Sequence, residues 1–477
     1  MNRRKFIRDS ALLAGATWIT TSASATIAKI LDPTYLSKRP PIGSRTFTSP
    51  VIEETIKTIS ASMSDKHLAW LFENCYPNTL DTTVEHEIVN DQPDTFIITG
   101  DIDAMWLRDS TAQVWPYMIF TKQDPALAEL IKGLIHRQAL CILKDPYANA
   151  FYKDLSKRSE WESDKPSPIP GVHERKWEID SLCYPVRLAY HYYKMTGDNS
   201  PFDDHFKRAM QQIYNTFKTE QRIDGTTPYR HSRVTSNPID TPPFYGQGQP
   251  VKYTGMICSA FRPSDDSTIF PYLIPSNLFA LESLKQLAFL SKTIYNDKAF
   301  ADNCESMASE IKAGVEEHGI IDLKGYGKIY AYEVDGFGGR LLMDDANVPS
   351  LISLSYLGIH KPEDELYQRT REFVLSNRNP WYQKGRFAEG MGSPHTGRGS
   401  IWPMGIILRG LTSTDDREIK NCLEMLKNTH ANTGFMHESF NPDNPENYTR
   451  SWFAWANTLF GELIVKLWNE RPHLLKS

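Results

Sequence analysis

Hydrophobic positions along the chain recur mostly at intervals of three and four residues, which is the spacing of amphipathic α-helices. The pattern predicts about twelve helices, each roughly 10 to 22 residues long. They span residues 51–72, 108–120, 125–143, 179–195, 202–217, 276–293, 298–315, 348–357, 363–375, 400–411, 418–427 and 450–467. Signals typical of strands are few and local, as at residues 95–98 and 328–331.

Twelve helices with short β segments predict an all-α protein, in which six inner and six outer helices form an (α/α)6 barrel with short β hairpins in its loops. An irregular helical bundle or a solenoid would use similar helices, although the chain lacks the fixed-period repeat of a solenoid. No Ser/Gly linker or change of composition divides residues 26–477. We therefore expect them to form a single catalytic domain.

The first 25 residues have the pattern of a twin-arginine signal peptide. Arg3 and Arg4 begin a basic segment, residues 11–20 are mildly apolar, and Ala23-Ser24-Ala25 resembles a cleavage site. The plainer alternative is an amphipathic N-terminal helix. The signal peptide predicts export to a bacterial periplasm, and no later segment reaches the roughly 18 apolar residues of a membrane span. We expect no membrane insertion after cleavage.

Composition narrows the class of partner. The 477-residue chain carries a net charge of −5, and no basic cluster follows the N-terminal segment, which argues against nucleic acid or an anionic membrane as a partner. The six cysteines show no C-x-x-C spacing, so a zinc site or a redox motif is not expected. We predict mostly free, buried thiols and a monomer that acts on a neutral or weakly charged substrate.

Long loops rich in proline, glycine and aromatic residues separate some of the helices and hold most of the polar motifs. They span residues 159–176, 221–270, 378–399 and 432–449. Loops of this length in a compact domain are usually functional.

Residues 99–110, T-G-D-I-D-A-M-W-L-R-D-S, combine carboxylates, a guanidinium and an indole. A sugar presents hydroxyls that charged groups bind and a C–H face that packs on an aromatic ring, so its pocket needs both kinds of side chain. Trp106, Arg108 and Asp109 are therefore candidate substrate-binding residues. The alternative is an ordinary helix start with Trp106 in the core.

Asp265, Asp266 and Glu438 are candidates for acid–base chemistry. Glycoside hydrolysis uses one protonated carboxylic acid and one ionised carboxylate. Arg450 is expected to keep Glu438 ionised, whereas a like charge or burial would raise the pKa of Asp265 or Asp266. A helix-capping turn at the aspartate pair and a surface salt bridge at Glu438 are the simpler alternatives.

His395 lies in a G-S-P-H-T-G loop, where it could contact a substrate hydroxyl, bind a metal or face solvent. The chain has neither an H-x-x-x-H nor an H-E-x-x-H pattern, which argues against a metal site. We therefore predict neither a metal nor another cofactor.

Eight motifs are distributed along the chain: T-G-D-I-D-A-M-W-L-R-D-S, E-I-D-S-L-C-Y-P, F-R-P-S-D-D-S, Y-L-I-P-S-N, G-S-P-H-T-G, I-W-P-M, H-E-S-F and R-S-W-F-A-W-A-N. Together they resemble glycoside hydrolase family 125, the exo-α-1,6-mannosidases, and the resemblance extends from about residue 50 to 468. It implies an (α/α)6 barrel and removal of terminal α-1,6-linked mannose from an oligosaccharide or N-glycan. It also implies inversion of anomeric configuration and no metal requirement.

The resemblance also implies roles for individual residues. Asp265, which fits the family interval better than Asp266, would be the general acid, and Glu438 the general base. Trp106, Arg108 and Asp109 would bind the terminal mannose, with Arg262, His395 and Arg450 as neighbours. The chain departs from the family at Asp103, where proline is expected. A different linkage specificity on the same barrel, or a non-catalytic periplasmic glycan-binding protein, is the alternative function.

Overall fold

Helices dominate the part of the chain that the structure describes. The computed structural model describes residues 35–476, so the predicted signal peptide and the boundary that follows it lie outside the described residues. The α-helices are α1 (Pro50–Ser62), α2 (Lys66–Cys75), α3 (Asn78–Thr82), α4 (Leu107–Val114), α5 (Pro125–Lys144), α6 (Ile179–Thr196), α7 (Asp204–Glu220), α8 (Pro243–Gly246), α9 (Ile274–Ile294), α10 (Lys298–Gly314), α11 (Glu365–Val374), α12 (Pro403–Leu411), α13 (Asp416–Lys427), α14 (Ala454–Glu470) and α15 (His473–Lys476).

Short strands connect the helices. They are β1 (Val84–Val89), β2 (Gln92–Ile97), β3 (Met105–Trp106), β4 (Ala150–Phe151), β5 (Val172–Glu174), β6 (Tyr272–Leu273), β7 (Ile320–Leu323), β8 (Gly327–Tyr330), β9 (Glu333–Val334), β10 (Arg340–Leu341), β11 (Tyr382–Lys384), β12 (Glu389–Met391), β13 (Phe440–Asn441) and β14 (Asn444–Tyr448). The pairings are antiparallel: β1–β2, β7–β8, β11–β12, β13–β14, and the three-stranded sets β3-β4-β5 and β10-β9-β6.

Most predicted helices match observed ones to within a few residues, but three predictions need correction. The helix predicted over 108–120 is α4, which ends at Val114 and is followed by a 3₁₀ helix over Trp115–Phe120. The helix predicted over 51–72 is two helices, because Asp65 accepts hydrogen bonds from the main-chain nitrogens of His67 and Leu68 and starts α2. The helix predicted over 348–357 is only a 3₁₀ turn at Ile352–Leu354. There the buried Asp344 carboxylate accepts hydrogen bonds from the Leu351 and Ile352 nitrogens, which substitutes for helical hydrogen bonding.

The helices that line the interior are apolar on most of their surface. Every residue of α4 is buried, as are most residues of α6, α9, α12 and α14, whereas α7 and α13 bury one face only. α12 packs on α14, α14 on α4, α4 on α6, and α6 on α9. The amphipathic helices pack outside this series, α7 against α5 and α13 against α12.

Among the described residues, contacts group the chain from Ser37 onwards into one compact unit. All six cysteines of the sequence lie among the described residues and are free and buried, as predicted. None of the helices between residues 35 and 476 combines the length and hydrophobicity that crossing a bilayer requires.

Candidate active site

One cavity is lined by most of the residues that the sequence singles out. Seven of the eight predicted site residues line it: Trp106, Arg108, Asp109, Asp265, His395, Glu438 and Arg450. They come from segments that are far apart in the sequence. The fold therefore assembles the predicted residues around one space.

The buried helices position this lining through their N-terminal ends. Trp106 precedes the first residue of α4, Trp402 that of α12, and Phe453 that of α14. All three side chains line the cavity. Because the chain is still extended at these positions, each side chain extends beyond the end of its helix into the cavity.

Arg108 organises the carboxylates on one side of the cavity. Its Nη1 atom donates hydrogen bonds to Glu178 Oε2 at 2.6 Å and to Asp180 Oδ2 at 3.0 Å, and its Nη2 atom donates to Asp265 Oδ1 at 3.1 Å. Arg108, Glu178 and Asp180 are buried. The guanidinium thus holds the Asp265 carboxylate from the protein side of the cavity wall.

Asp265 lines the cavity in a left-handed backbone conformation, with φ of +66°. Its side chain keeps 23% of its surface exposed, whereas Asp266 is buried and is not among the lining residues. Burial alone would raise the pKa of Asp265, but the charge of Arg108, aided by Lys176, outweighs burial and lowers it.

This direction is opposite to the prediction of a raised pKa at the cavity-facing aspartate. The raised pKa belongs instead to Glu178, where burial is the largest cause and the neighbouring Asp265 charge adds to it. The sequence offers no obvious sign of this exchange, because Glu178 and Asp265 meet only in the fold.

Asp266 contacts His395, another residue of the cavity lining. Nδ1 of His395 lies 3.1 Å from Asp266 Oδ1, and the Ser264 hydroxyl donates to the other oxygen at 3.1 Å. Burial disfavours the charged imidazole, but the hydrogen bond and charge of Asp266 outweigh it and raise the pKa of His395 to about 9. The cavity therefore contains a histidine that is cationic at neutral pH.

Glu438 lines the same cavity as Asp265. The Thr449 hydroxyl donates to its Oε2 atom at 3.0 Å, and Arg450 Nη1 lies 3.5 Å from its Oε1 atom. Arg450 also donates to the main-chain oxygen of Thr99 at 2.8 Å and pairs with Asp101. The predicted proximity of Glu438 and Arg450 is confirmed.

Trp106 and Asp109 lie beside Arg108. Burial raises the pKa of Asp109 against the opposing charge of Arg108, and the Thr99 hydroxyl donates to its carboxylate. The indole of Trp106 packs edge-on against His173, with ring centroids 5.1 Å apart. Its buried Nε1 atom has no hydrogen-bond partner within the described part of the chain.

Arg262 does not belong to the described cavity lining. Its buried guanidinium donates from Nε to Glu333 Oε1 at 2.6 Å, and Glu333 in turn accepts hydrogen bonds from the main-chain nitrogens of Ile269 and Phe270. We therefore remove Arg262 from the candidate substrate-binding residues and regard it as a support of the loop that carries Asp265.

The sequence reasoning missed several site residues. Asn347, Trp402, Phe453 and Trp455 line the cavity, and Glu178 lies directly behind it. The two tryptophans, Phe453 and Glu178 lie in motifs that carry the family resemblance. A charged residue at the start of an apolar helix, as in E-I-D-S-L-C-Y-P, was the available signal for Glu178. Nothing marked Asn347.

The departure at Asp103 lies in the loop before α4. Its carboxylate is exposed and accepts a hydrogen bond from Lys157 Nζ at 2.6 Å. Asp103 is outside the described cavity lining, so the candidate acid and base are unaffected by it. The residues described, 35–476, include no group of three or more His, Cys, Asp or Glu side chains arranged to hold a metal ion.

Comparison with known proteins identifies the family. The family model for metal-independent alpha-mannosidases, GH125, matches residues 65–465. The chain belongs to glycoside hydrolase family 125. As a GH125 member, it is a glycoside hydrolase of the metal-independent α-mannosidase class, and the predicted resemblance is confirmed.

Two relatives show how far this GH125 similarity extends. The Meiotically up-regulated gene 157 protein of Schizosaccharomyces pombe is 41% identical over 459 residues, which are 92% of this chain and 90% of the relative. A solved structure of a metal-independent alpha mannosidase from Streptococcus pneumoniae is 40% identical, with a TM-score of 0.85, and the match covers 89% of this chain and all of that one. That structure is a non-productive complex with alpha-1,6-mannobiose.

Proposed function

We propose that this GH125 enzyme is an exo-acting, inverting α-1,6-mannosidase that removes the non-reducing terminal mannose of oligosaccharides or N-glycans. The observation that carries the proposal is the presence of Asp265 and Glu438 in the lining of one cavity. The alpha-1,6-mannobiose bound by the pneumococcal relative supports the choice of linkage.

In this mechanism Asp265 protonates the glycosidic oxygen as the bond to the anomeric carbon breaks. Glu438 removes a proton from a water molecule that attacks the opposite face of the sugar. Inversion requires room for this water, so the two carboxyl groups should be about 6.5–9.5 Å apart. The contacts of Glu438 with Thr449 and Arg450 hold its carboxylate in position for this water.

The other cavity residues would bind the terminal mannose. Trp106 offers an apolar ring for the C–H face of the sugar and an unsatisfied N–H donor within the described protein. Arg108 and Asp109 provide charged partners for hydroxyls. The cationic His395 can donate a hydrogen bond to a further hydroxyl near Asp265.

We also propose that the buried series α12–α14–α4–α6–α9 is part of the inner ring of an (α/α)6 barrel. The one-sided burial of α7 and α13, which pack against α5 and α12, supports this assignment. We propose export of a monomer through the twin-arginine route, on the evidence of the N-terminal motif. Cell fractionation of the full-length chain and of an Arg3→Lys, Arg4→Lys variant tests the route, and light scattering of the purified protein tests the monomer.

The experiment that tests the function uses α-1,2-, α-1,3- and α-1,6-mannobiose as separate substrates. We expect turnover of the α-1,6 isomer, and proton NMR of the first-formed mannose should show the β anomer. Preference for another isomer would change the proposed linkage, and the α anomer would overturn inversion. Binding of mannobiose without hydrolysis of any isomer would instead indicate a glycan-binding protein.

A further inference from the structure

Four carboxylates surround the guanidinium of Arg108. Glu178, Asp180 and Asp265 lie 2.6, 3.0 and 3.1 Å from its Nη atoms, and Asp109 lies 3.5 Å from Nε. One guanidinium carries a single positive charge, so four ionised carboxylates would leave the cluster with a large negative excess.

The nearest cations on the protein side are already balanced by other carboxylates. Lys176 Nζ donates to the main-chain oxygen of Asp265 at 2.8 Å, but it also lies 3.2 Å from Asp240 and 3.6 Å from Glu174. Arg233 pairs with Glu174 at 2.8 Å. These groups cannot neutralise the Arg108 cluster.

The cations on the cavity side are matched in the same way. His395 pairs with Asp266 at 3.1 Å, and Arg450 contacts Glu438 at 3.5 Å. The excess negative charge around Arg108 is therefore best removed by a bound proton.

The structure provides a place for that proton between Glu178 and Asp265. Both carboxyl groups accept hydrogen bonds from the Arg108 guanidinium, which brings them together, and two carboxylates that share a site favour binding one proton over both remaining ionised. Asn149 Nδ2 lies 3.5 Å from Glu178 Oε1 and 3.4 Å from Asp265 Oδ1, and so holds the pair together. Glu178 is fully buried, where an unbalanced charge is strongly unfavourable.

We propose that Glu178 is a positioning residue that shares one proton with Asp265, so that the general acid of this enzyme is a two-carboxyl unit. This inference rests on the proposed function, in which Asp265 is the acid. The raised pKa of Glu178, from burial and the Asp265 charge, and the lowered pKa of Asp265, to which Arg108 contributes, put the proton on Glu178 in the free enzyme.

The proton balance of a turnover is then complete. The proton moves from the Glu178 carboxyl to the Asp265 carboxylate, and from Asp265 to the glycosidic oxygen as the C–O bond breaks. The attacking water forms the new C–O bond and gives its proton to Glu438. Solvent returns this proton to the Glu178–Asp265 pair, so the enzyme is restored and one water is consumed.

The test compares Glu178→Gln with the wild type on two substrates over a range of pH. α-1,6-Mannobiose has a poor leaving group and needs the acid, whereas 2,4-dinitrophenyl α-mannoside has a good leaving group and does not. For mannobiose we expect kcat/KM of Glu178→Gln at pH 7 to fall about tenfold or more. We expect the alkaline limb of its pH profile to move down by about one pH unit or more, because Asp265 beside Arg108 then has to hold the proton alone. The dinitrophenyl substrate should be affected by less than about threefold.

Two further variants separate the proton from packing. Ser181→Ala removes the hydroxyl that donates to Glu178 at 2.8 Å but keeps both carboxyl groups, so its alkaline limb should stay close to that of the wild type. Glu178→Asp keeps a carboxyl group, so its alkaline limb should lie at a pH between those of Glu178→Gln and the wild type. Equal losses on both substrates with an unmoved limb in Glu178→Gln would overturn the proposal. If Glu178→Gln does not fold, the test uses Glu178→Asp. An alkaline limb in that variant as low as the pKa of an aspartate without a carboxyl partner would overturn the proposal.

Infrared difference spectroscopy gives a readout without turnover. Burial also raises the pKa of Asp344 to about 8 and that of Glu462 to about 7, so the informative signal is the difference between the wild type and Glu178→Gln. At pH 7 the free wild-type enzyme should show one additional carbonyl band of a protonated carboxyl that Glu178→Gln lacks. Absence of this difference band contradicts the shared proton even if the enzyme is active. Absence of wild-type turnover on either mannoside, with the band present, would contradict the proposed function instead.

Discussion

The Nζ atom of Lys176 donates a hydrogen bond of 2.8 Å to the main-chain oxygen of Asp265. Lys176 is buried, and Asp265 has the left-handed φ of +66° that few non-glycine residues adopt. The hydrogen bond thus holds a strained backbone at the residue that we propose as the acid.

Lys176→Met should remove this restraint. We expect kcat on α-1,6-mannobiose to fall about tenfold or more with a smaller change in KM. The reason is that the proposed acid loses its position, whereas the residues that bind the sugar are unchanged. Glu174 and Asp240 also lose their ammonium partner, so the free energy of unfolding should fall by about 3 kcal/mol. Steady-state kinetics and urea unfolding check both effects. Full recovery of kcat in Lys176→Met under stabilising conditions would show that the hydrogen bond does not position the acid.

Asp265→Asn and Asp266→Asn should differ sharply. Asparagine tolerates the left-handed backbone, so Asp265→Asn should fold normally and lose about 10²–10⁴-fold in kcat on mannobiose. Asp266→Asn keeps the acid and weakens the support of His395, so we expect a smaller loss, of about tenfold. Steady-state kinetics on mannobiose compare kcat of the two variants, and a thermal melt of each checks that it is folded. A larger loss in Asp266→Asn than in Asp265→Asn would exchange the two roles.

Glu438→Gln should abolish hydrolysis while mannobiose still binds, because the amide keeps the shape of the side chain but cannot take a proton from water. Isothermal titration calorimetry measures the binding. Glu446→Gln is a matched control, since Glu446 is exposed on the neighbouring strand β14. Its activity should equal that of the wild type. Retention of wild-type turnover in Glu438→Gln is incompatible with its role as the base.

His395 makes the stability of the protein depend on pH. Its folded-state pKa of about 9 lies above the ordinary value of 6.5, so the stabilising contribution is complete below about pH 6.5 and is lost as the pH rises through about 9. Since a third of the side chain is exposed, we expect about 1 kcal/mol. The difference in unfolding free energy between the wild type and His395→Gln, measured at pH 6 and pH 9.5, should shrink by this amount. A constant difference would show that the pKa of His395 is not raised by folding.

Arg262→Met should affect stability more than sugar binding. It leaves Glu333 buried without its guanidinium, which typically costs about 3–5 kcal/mol. The dissociation constant of mannobiose for the protein that remains folded should change little, because Arg262 is outside the described cavity lining. Urea unfolding and calorimetry provide the two numbers. A large loss of affinity at unchanged stability would return Arg262 to the substrate-binding residues.

Local patterns in the sequence were enough for most helices and for the cavity residues. The α5 and α10 helices follow the predicted periodicity almost to the residue, since each has an N-terminal Asp cap and a continuous apolar face. Trp106, Arg108 and Glu438 lie in motifs whose mixture of aromatic and charged groups suits a sugar. These features depend on neighbours in the chain, which the sequence displays directly.

Features that depend on distant neighbours were missed or misplaced. The exchange of protonation between Asp265 and Glu178 depends on Arg108, which is more than 60 residues from either in the sequence. Arg262 is close to Asp265 in the sequence, but its guanidinium donates a hydrogen bond to the buried Glu333 and is not part of the described cavity lining. Residues 348–357 have the apolar spacing of a helix, yet the buried Asp344 carboxylate accepts hydrogen bonds from the main-chain nitrogens of Leu351 and Ile352.

The left-handed backbone at Asp265 restricts which side chains the acid position can accept over evolution. Aspartate and asparagine adopt this conformation more readily than glutamate, whose longer chain would also carry its carboxyl beyond Arg108. The reach of the proposed acid into the cavity is therefore set by the main chain at this residue.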